Sequence, residues 1–169
     1  MSMHHILSAV REFEGILELA PGAGSEFPEI AWGDHFFYYS PDGRIPRHHQ
    51  PFATVVTKDY PGEPSSNLGA ADRYRVNVDV GRSTFIELTG ETPRDFDSSD
   101  KKSREFGESD VFMPHPVYGA RGWVAVVNPA ERTVATLVDL LHGAYEKQRR
   151  HVDRRTPETE HNHSSGPEQ

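Results

Sequence analysis

His115 is the side chain that the sequence singles out most clearly for chemistry. It lies between Pro114 and Pro116, just before an aromatic residue and a glycine, at the entrance to an apolar run. The prolines favour extended backbone around the imidazole and hold it in place. Because an imidazole titrates near neutral pH, His115 is a candidate general acid/base or ligand-binding group. A loop histidine bonded only to backbone is the plainer alternative.

A carboxylate and a second imidazole, Asp34 and His35, lie side by side in an aromatic stretch that spans residues 32–39. In an extended strand these two side chains point to opposite faces, so each needs its own partner on a neighbouring strand. Asp34 and Asp59 are the candidate carboxylates for catalysis with His115. A turn-capping Asp34 and a half-buried His35 are the alternative interpretations.

A polar row, Arg75, Asn77 and Asp79, alternates with apolar residues in the segment 74–80. This is the clearest strand pattern in the chain, with the polar side chains on one face. If the strand pairs with the preceding one, arginine, asparagine, aspartate and threonine groups gather there, which suits a polar or anionic small molecule. The alternative for the polar row is a sheet face that is simply exposed to solvent. For Lys58, the alternative is an ordinary lysine at the end of a strand. The candidate ligand-binding residues are Trp32, His35, Lys58, Tyr60, Arg75, Asn77 and Tyr118.

The elements that must position these residues follow from periodicity and turn signals. Helices are predicted at 3–13, at 82–89 and from a start at 128–131 that Asn128 caps. Strands are predicted at 16–19, 30–40, 52–60, 74–80 and 122–127. The charged segment 91–109 predicts a mobile surface loop.

This order of elements predicts an α+β fold. Short connections favour a mainly antiparallel sheet of about five strands, with the N- and C-terminal helices packed on one face as a two-layer sandwich. The aromatic stretch carries bulk on both faces and is therefore predicted as a central strand that is covered on both sides.

Composition sets the remaining expectations. The 169-residue chain has no cysteine, a net charge of −8 and no basic or long apolar N-terminal run, so we expect a cytoplasmic protein without a signal peptide or membrane span. A single domain is predicted at 1–148, with a disordered tail at 149–169. Acidity makes nucleic acid an unlikely partner. Histidine spacing fits no zinc motif, and neither a metal nor a cofactor is predicted. The oligomeric state is not specified.

Several runs resemble an actinobacterial family of unknown function. They are 31–39 (Ala-Trp-Gly-Asp-His-Phe-Phe-Tyr-Tyr), 51–61 (Pro-Phe-Ala-Thr-Val-Val-Thr-Lys-Asp-Tyr-Pro), 75–77 (Arg-Val-Asn) and 115–128 (His-Pro-Val-Tyr-Gly to Asn). More remotely, the order of elements over residues 3–148 resembles MmcQ/YjbR-like proteins, although Tyr60 interrupts the remote Lys-Asp-Pro-like turn. The remote resemblance implies a frataxin-like α+β fold, in a group sometimes described as double-wing DNA-binding modules. Neither resemblance implies a catalytic mechanism.

Three functions remain open from the sequence. The first is a cytoplasmic accessory domain that binds a small molecule or a protein. The second is an enzyme that uses His115 as acid/base with Asp34 or Asp59; a serine hydrolase is disfavoured because no G-x-S-x-G elbow is present. The third is a YjbR-like DNA-binding module.

Overall fold

A computed structural model describes residues 2–155, which form one antiparallel sheet and four α-helices. The strands are β1 (Ile16–Leu19), β2 (His35–Tyr39), β3 (Ala53–Val56), β4 (Arg75–Asp79), β5 (Met113–Pro114) and β6 (Trp123–Val127). The helices are α1 (Met3–Arg11), α2 (Gly81–Thr89), α3 (Pro93–Ser98) and α4 (Val134–Arg155). Three short 3-10 turns complete the regular structure of the described residues.

The sheet has the strand order β1-β2-β3-β4-β6-β5, and every neighbouring pair is antiparallel. The predicted α+β class and antiparallel sheet are therefore confirmed. The sheet has one strand more than predicted. This strand, β5, contains only two residues, which is too short for a periodic pattern in sequence. The alternation predicted for 74–80 is seen in β4. Val76 and Val78 belong to an apolar cluster on one face, whereas Arg75 and Asn77, which are also buried, lie on the other face.

Helices α1 and α4 cover one face of the sheet, as predicted. Ile6 and Val10 of α1 are one helical turn apart and are completely buried, as is Leu137 of α4. They pack against the sheet residues Phe37 and Val76 in the larger of two apolar clusters. Burial of each such side chain contributes about 1.5–3 kcal/mol, so this layer holds the domain together.

The opposite face of the sheet is only partly covered. Helices α2 and α3 contact β5, β6 and the turn Tyr118–Arg121, and leave the β2–β4 side open. Phe85, Phe96 and Phe106 form the buried centre of this second cluster. Because the helices stop short of β3, a concave surface remains above the middle of the sheet.

The aromatic strand differs from its prediction in two ways. It begins at His35 and not at residue 30, because Glu29–Ala31 form a 3-10 turn and Gly33 has a φ of 88°. Phe37 is fully buried under the helices, whereas Phe36 and Tyr38 are only half-buried on the open face. The prediction that both faces of this strand are covered is therefore wrong.

The charged segment 91–109 is not the mobile loop that its composition predicts. It contains α3, and both Phe96 and Phe106 are buried, at 0% and 2% exposure. A Cβ at Gly119 would lie 2.6 Å from the Phe96 ring, so the 3-10 turn packs directly on this aromatic side chain. Two widely spaced phenylalanines anchor the segment, and such isolated anchors produce no periodic signal.

The start of the last helix also differs from prediction. Asn128 does not cap it: its Oδ1 accepts a hydrogen bond from the Tyr74 amide at 3.0 Å, and α4 begins at Val134. Asp110 caps the preceding turn instead, accepting hydrogen bonds from the Ala130, Arg132 and Thr133 amides and from the Thr133 hydroxyl. Burial alone would raise the pKa of Asp110, but these hydrogen bonds bring it below its ordinary value.

Helix α4 continues to Arg155, so the predicted domain boundary at residue 148 falls inside it. Residues 156–169 of the predicted tail lie outside the described residues. Within residues 2–155, no helix combines the length and the apolar character that crossing a bilayer requires.

Candidate ligand-binding cleft

The open face of the sheet forms the floor of a cleft of about 1270 Å³. This volume exceeds the roughly 300–1,000 Å³ of ordinary small-molecule pockets, so the cleft can hold an elongated organic molecule. The floor combines aromatic and polar side chains from four strands. They are Phe36, Tyr38, Thr54, Val56, Arg75, Asn77, Asp79 and Trp123.

Strand register explains why these residues share one face. Directly opposed residues of an antiparallel pair point to the same side of a sheet. Thr54 lies opposite both Phe36 and Asn77, and Asp79 lies opposite Trp123. The polar row of β4 therefore runs along the middle of the floor, between aromatic side chains from β2 and β6.

Arg75 is the most unusual residue of the floor, because its guanidinium is buried without a carboxylate partner. Its exposure is 3%. Its Nε donates to Asn77 Oδ1 and its Nη1 to Ser66 Oγ, both at 2.9 Å, and it forms no ion pair within the described residues. Burial lowers its pKa, opposed first by the charge of Glu63 and then by others, but arginine stays protonated at physiological pH.

Asn77 connects Arg75 to the next strand. Its Oδ1 accepts from Arg75, and its Nδ2 donates to Thr54 Oγ1 at 2.9 Å. This chain of hydrogen bonds fixes the guanidinium plane and uses only two of its five N–H groups. The remaining donors are available to a molecule in the cleft.

His115 lies beside Arg75 with its tautomer determined by backbone contacts. Its Nδ1 accepts hydrogen bonds from the amides of Val117, at 3.1 Å, and Tyr118, at 2.9 Å. Since two N–H groups donate to Nδ1, the proton of the neutral ring is on Nε2. Burial, and then the charge of Arg75, hold the pKa of His115 well below its usual range. The side chain is thus a neutral donor.

A pH titration checks this assignment. Between the lowered pKa of folded His115 and its ordinary value of 6.5, the unfolded chain binds a proton that the folded chain does not. The contribution of His115 to stability is therefore complete above about pH 6.5 and declines as the pH falls. We expect urea unfolding to show a weaker decline from pH 7 to pH 5 in His115→Gln than in the wild type.

The same substitution at exposed His4 is the matched control for this titration. Nitrogen NMR of the wild type just below pH 6.5 should show His115 neutral, with the proton on Nε2. A doubly protonated ring under those conditions would contradict the assignment.

Asp34 lies behind the cleft wall and is completely buried. Its carboxylate accepts from the Thr57 amide at 2.8 Å, from the Thr57 hydroxyl at 2.9 Å and from the Tyr60 hydroxyl. Lys58 Nζ lies 3.6 Å from Asp34 Oδ1 and also donates to the Trp32 carbonyl. The carboxylate therefore orients Tyr60, whose ring does line the cleft. Burial, and then the bond to Asp34, raise the pKa of Tyr60.

Three further predicted site residues make local contacts away from the cleft. Asp59 accepts from Ser65 Oγ and from the amides of residues 66 and 68, and so organises the loop that carries Ser66. His35 points to the helix-covered side, where its Nδ1 lies 2.7 Å from Glu18 Oε1. Trp32 donates to the carbonyl of residue 27 at 3.2 Å.

The structure thus divides the predicted residues into two groups. The cleft is lined by Tyr60, Arg75, Asn77, His115 and Tyr118. The residues Trp32, Asp34, His35, Lys58 and Asp59 do not line it.

Some residues that line the cleft were not among the site residues predicted from the sequence. Glu63 lies on one wall, and burial raises its pKa. The rim contains four residues from the end of α4, Lys147, Arg150, His151 and Arg154. Their i, i+3, i+4, i+7 spacing was visible in the sequence and indicates one helix face.

Among residues 2–155, no group of three or more histidine or carboxylate side chains could hold a metal ion.

Fold and cleft together define a small α+β domain with a ligand-sized cleft on the uncovered face of its antiparallel sheet. The chain belongs to a family of unknown function (DUF6194), which it matches over residues 1–157. No curated protein and no solved structure matches the chain.

Proposed function

We propose that this protein binds a small organic anion in the cleft. The observation that carries the proposal is Arg75, a 97%-buried cation that forms no ion pair with a carboxylate of residues 2–155. Burying an unpaired charge costs several kcal/mol, and a fold retains such a cost where the charge serves binding. An anionic ligand would supply the missing partner.

The surroundings of Arg75 support a ligand with both an anionic group and an apolar body. The free guanidinium N–H groups and the Nε2–H of His115 are donors, and carboxylate or phosphate oxygens accept such hydrogen bonds well. Phe36 and Tyr38 on one side, and Trp123 on the other, offer aromatic surface to a planar organic framework. The ligand class that fits best is an aromatic acid.

The enzyme hypothesis has less support than binding. It needs His115 as acid/base with Asp34 or Asp59, but both carboxylates are saturated by local hydrogen bonds. The Nδ1 of His115 is also occupied by two amides, so the ring offers a donor and no free base. Acid/base catalysis by His115 stays a prediction.

The YjbR-like, DNA-binding hypothesis also stays a prediction, as do the actinobacterial origin and a protein partner. The net charge of −8 opposes contact with a phosphate backbone. A cytoplasmic location is part of the same proposal and is supported by the absence of cysteine.

Calorimetry and thermal unfolding with a matched pair of probes test anion binding. We expect 2-naphthoate to bind and to raise the unfolding midpoint, because its carboxylate can pair with Arg75 and its rings can contact the aromatic floor. The uncharged 2-naphthamide is the control and should bind at least tenfold more weakly. At a concentration of 100 times Kd, the stabilisation would be about 2.7 kcal/mol.

Equal binding of the two probes, or binding of neither, would overturn the proposal. Duplex DNA provides the competing outcome: tight binding with a steep salt dependence, in the absence of naphthoate binding, would favour the third hypothesis.

A further inference from the structure

The last turns of α4 place a row of lysine, arginine and histidine side chains along the cleft rim. Lys147, Arg150, His151 and Arg154 occupy one helix face, and all four line the cleft. We call these four residues the rim stripe. Helix geometry brings residues three and four apart onto one side, so the stripe is a continuous basic surface about two turns long.

Acidic residues of the same helix segment lie on a different face and are already paired. Arg149 lies 3.9 Å from Glu146 Oε1 and 3.7 Å from Asp153 Oδ2, and Asp153 Oδ1 also accepts from the Tyr39 hydroxyl. Within residues 2–155, neither Arg150 nor Arg154 forms an ion pair. Helix α4 thus has the ion pairs of Arg149 on one face and the rim stripe on another face, which is turned towards the cleft.

Positive charge is concentrated in the cleft, whereas the chain as a whole is acidic. Among the described residues, the lining of the cleft contains five lysine and arginine residues and only two carboxylates, Glu63 and Asp79. The chain as a whole has a net charge of −8. Because a concave surface focuses the field of its charges, this arrangement attracts anions to the cleft in particular.

The rim stripe and Arg75 lie at opposite ends of the floor. Burial raises the pKa of Asp79, the last residue of β4, and the charge of Lys147 opposes that shift. Lys147 Nζ also lies 3.5 Å from the Cβ position of Gly81, two residues after Asp79. Arg75 is the first residue of the same strand. Four residues of extended chain span about 13 Å, so one compact anion does not reach both cationic ends.

The rim stripe is held in place by contacts with the loop before β3. Gln148 accepts from the Tyr39 amide at 2.6 Å and donates to the Gln50 carbonyl at 2.9 Å. The rings of His49 and His151 meet edge-to-face at 5.5 Å. The helix end is therefore positioned before any ligand arrives, which reduces the ordering cost of binding.

We infer that the rim stripe is a second anion subsite, specific for a phosphate group, and that the cleft ligand is an elongated phosphorylated aromatic acid. Its carboxylate would pair with Arg75 and its phosphate with Arg150 and Arg154, since guanidinium groups bind phosphate oxygens in a bidentate manner. The aromatic body would lie across the floor between them. This inference rests on the proposed function and adds the second group and the length of the ligand.

Three naphthalene probes test the inference by calorimetry at low ionic strength. These are 2-naphthoate, 2-naphthyl phosphate and 6-phosphonooxy-2-naphthoate, which has an anionic group at each end. We expect this bifunctional probe to bind at least tenfold more tightly than 2-naphthoate. In the double variant Arg150→Gln/Arg154→Gln, the ratio of these two affinities should fall towards one, and 2-naphthyl phosphate should also bind more weakly.

Arg149→Gln is the matched control, because it removes one positive charge from the same helix but from the paired face. It should leave the affinity ratio unchanged. The inference is overturned if the bifunctional probe has no advantage over 2-naphthoate in the wild type, or if Arg149→Gln reduces the ratio as much as the double variant. Binding of 2-naphthoate without that advantage would overturn only this inference, whereas binding of no probe would overturn the proposed function as well.

Discussion

Replacing Arg75 by methionine should abolish anion binding without unfolding the protein. Truncating one partner of a buried, hydrogen-bonded charge pair costs about 2–5 kcal/mol of binding free energy, which is a loss of affinity of roughly thirtyfold or more. We expect that loss for 2-naphthoate, and little change for 2-naphthamide, in calorimetric titrations of Arg75→Met.

The free energy of unfolding of Arg75→Met should not decrease, although its affinity for the anion does. The unliganded protein buries the Arg75 charge without a carboxylate partner, and a well-packed apolar side chain of similar length avoids that desolvation cost. Asn77 lines the cleft, where water can replace the lost donor. Ser66 is fully buried, but an unsatisfied neutral hydroxyl costs less than an unpaired buried charge. We therefore expect the free energy of unfolding of Arg75→Met to equal or exceed that of the wild type.

In the same calorimetric titration, Arg75→Lys tests whether the positive charge alone is sufficient or whether the guanidinium geometry is also needed. It keeps the cation but loses the planar fork that bonds Asn77 and Ser66 simultaneously. Its affinity for 2-naphthoate should lie between the wild type and Arg75→Met. Wild-type affinity in Arg75→Met would show that the anion does not pair with this guanidinium.

The second large effect concerns stability, at Asp34. Asp34→Ala removes a fully buried carboxylate that accepts three hydrogen bonds and lies near the Lys58 ammonium. Breaking such a buried network by deleting one partner typically costs about 3–5 kcal/mol. We expect a decrease of about 3 kcal/mol in the free energy of unfolding from urea titration, because partly exposed Lys58 can recover hydration.

Asp34→Asn and Glu63→Gln are the controls for that measurement. Asparagine keeps the shape and one acceptor, so its cost should be smaller than that of alanine. Glu63 is a partly buried carboxylate of the cleft wall without a hydrogen bond among the described residues, so Glu63→Gln should change stability by less than about 1 kcal/mol. A decrease below 1 kcal/mol for Asp34→Ala would mean that the site repacks around the missing carboxylate.

Local patterns in the sequence determined much of the fold. The alternation of residues 74–80 predicted β4 and assigned Arg75 and Asn77 to one face, and the periodicity of Ile6 and Val10 predicted the buried side of α1. Gly90, at a φ of 76°, ends α2 as predicted. These features depend on neighbours within one strand or helical turn, so a single sequence is sufficient to predict them.

Contacts between distant segments could not be predicted in the same way. Asp110 caps a turn about twenty residues further along the chain, and Phe96 anchors a segment whose composition is that of a loop. Neither contact leaves a periodic signal. Local sequence also does not show which site residues share the cleft. Arg75, Asn77 and His115 line it, whereas His35 lies on the helix-covered face and Asp34, bonded to Thr57, lies behind the cleft wall.

The sequence by itself determined which residues are available for chemistry, and the tertiary structure decided which of them face the same space. His115 stood out from its prolines alone, but its role as a neutral donor depends on two amides, on its burial and then on the charge of Arg75. The rim stripe was visible as helical spacing, yet only the packing of α4 beside β4 turns it towards the cleft. The physical reason is that burial and pairing of charge are properties of neighbours in space, which the order of residues along the chain does not specify.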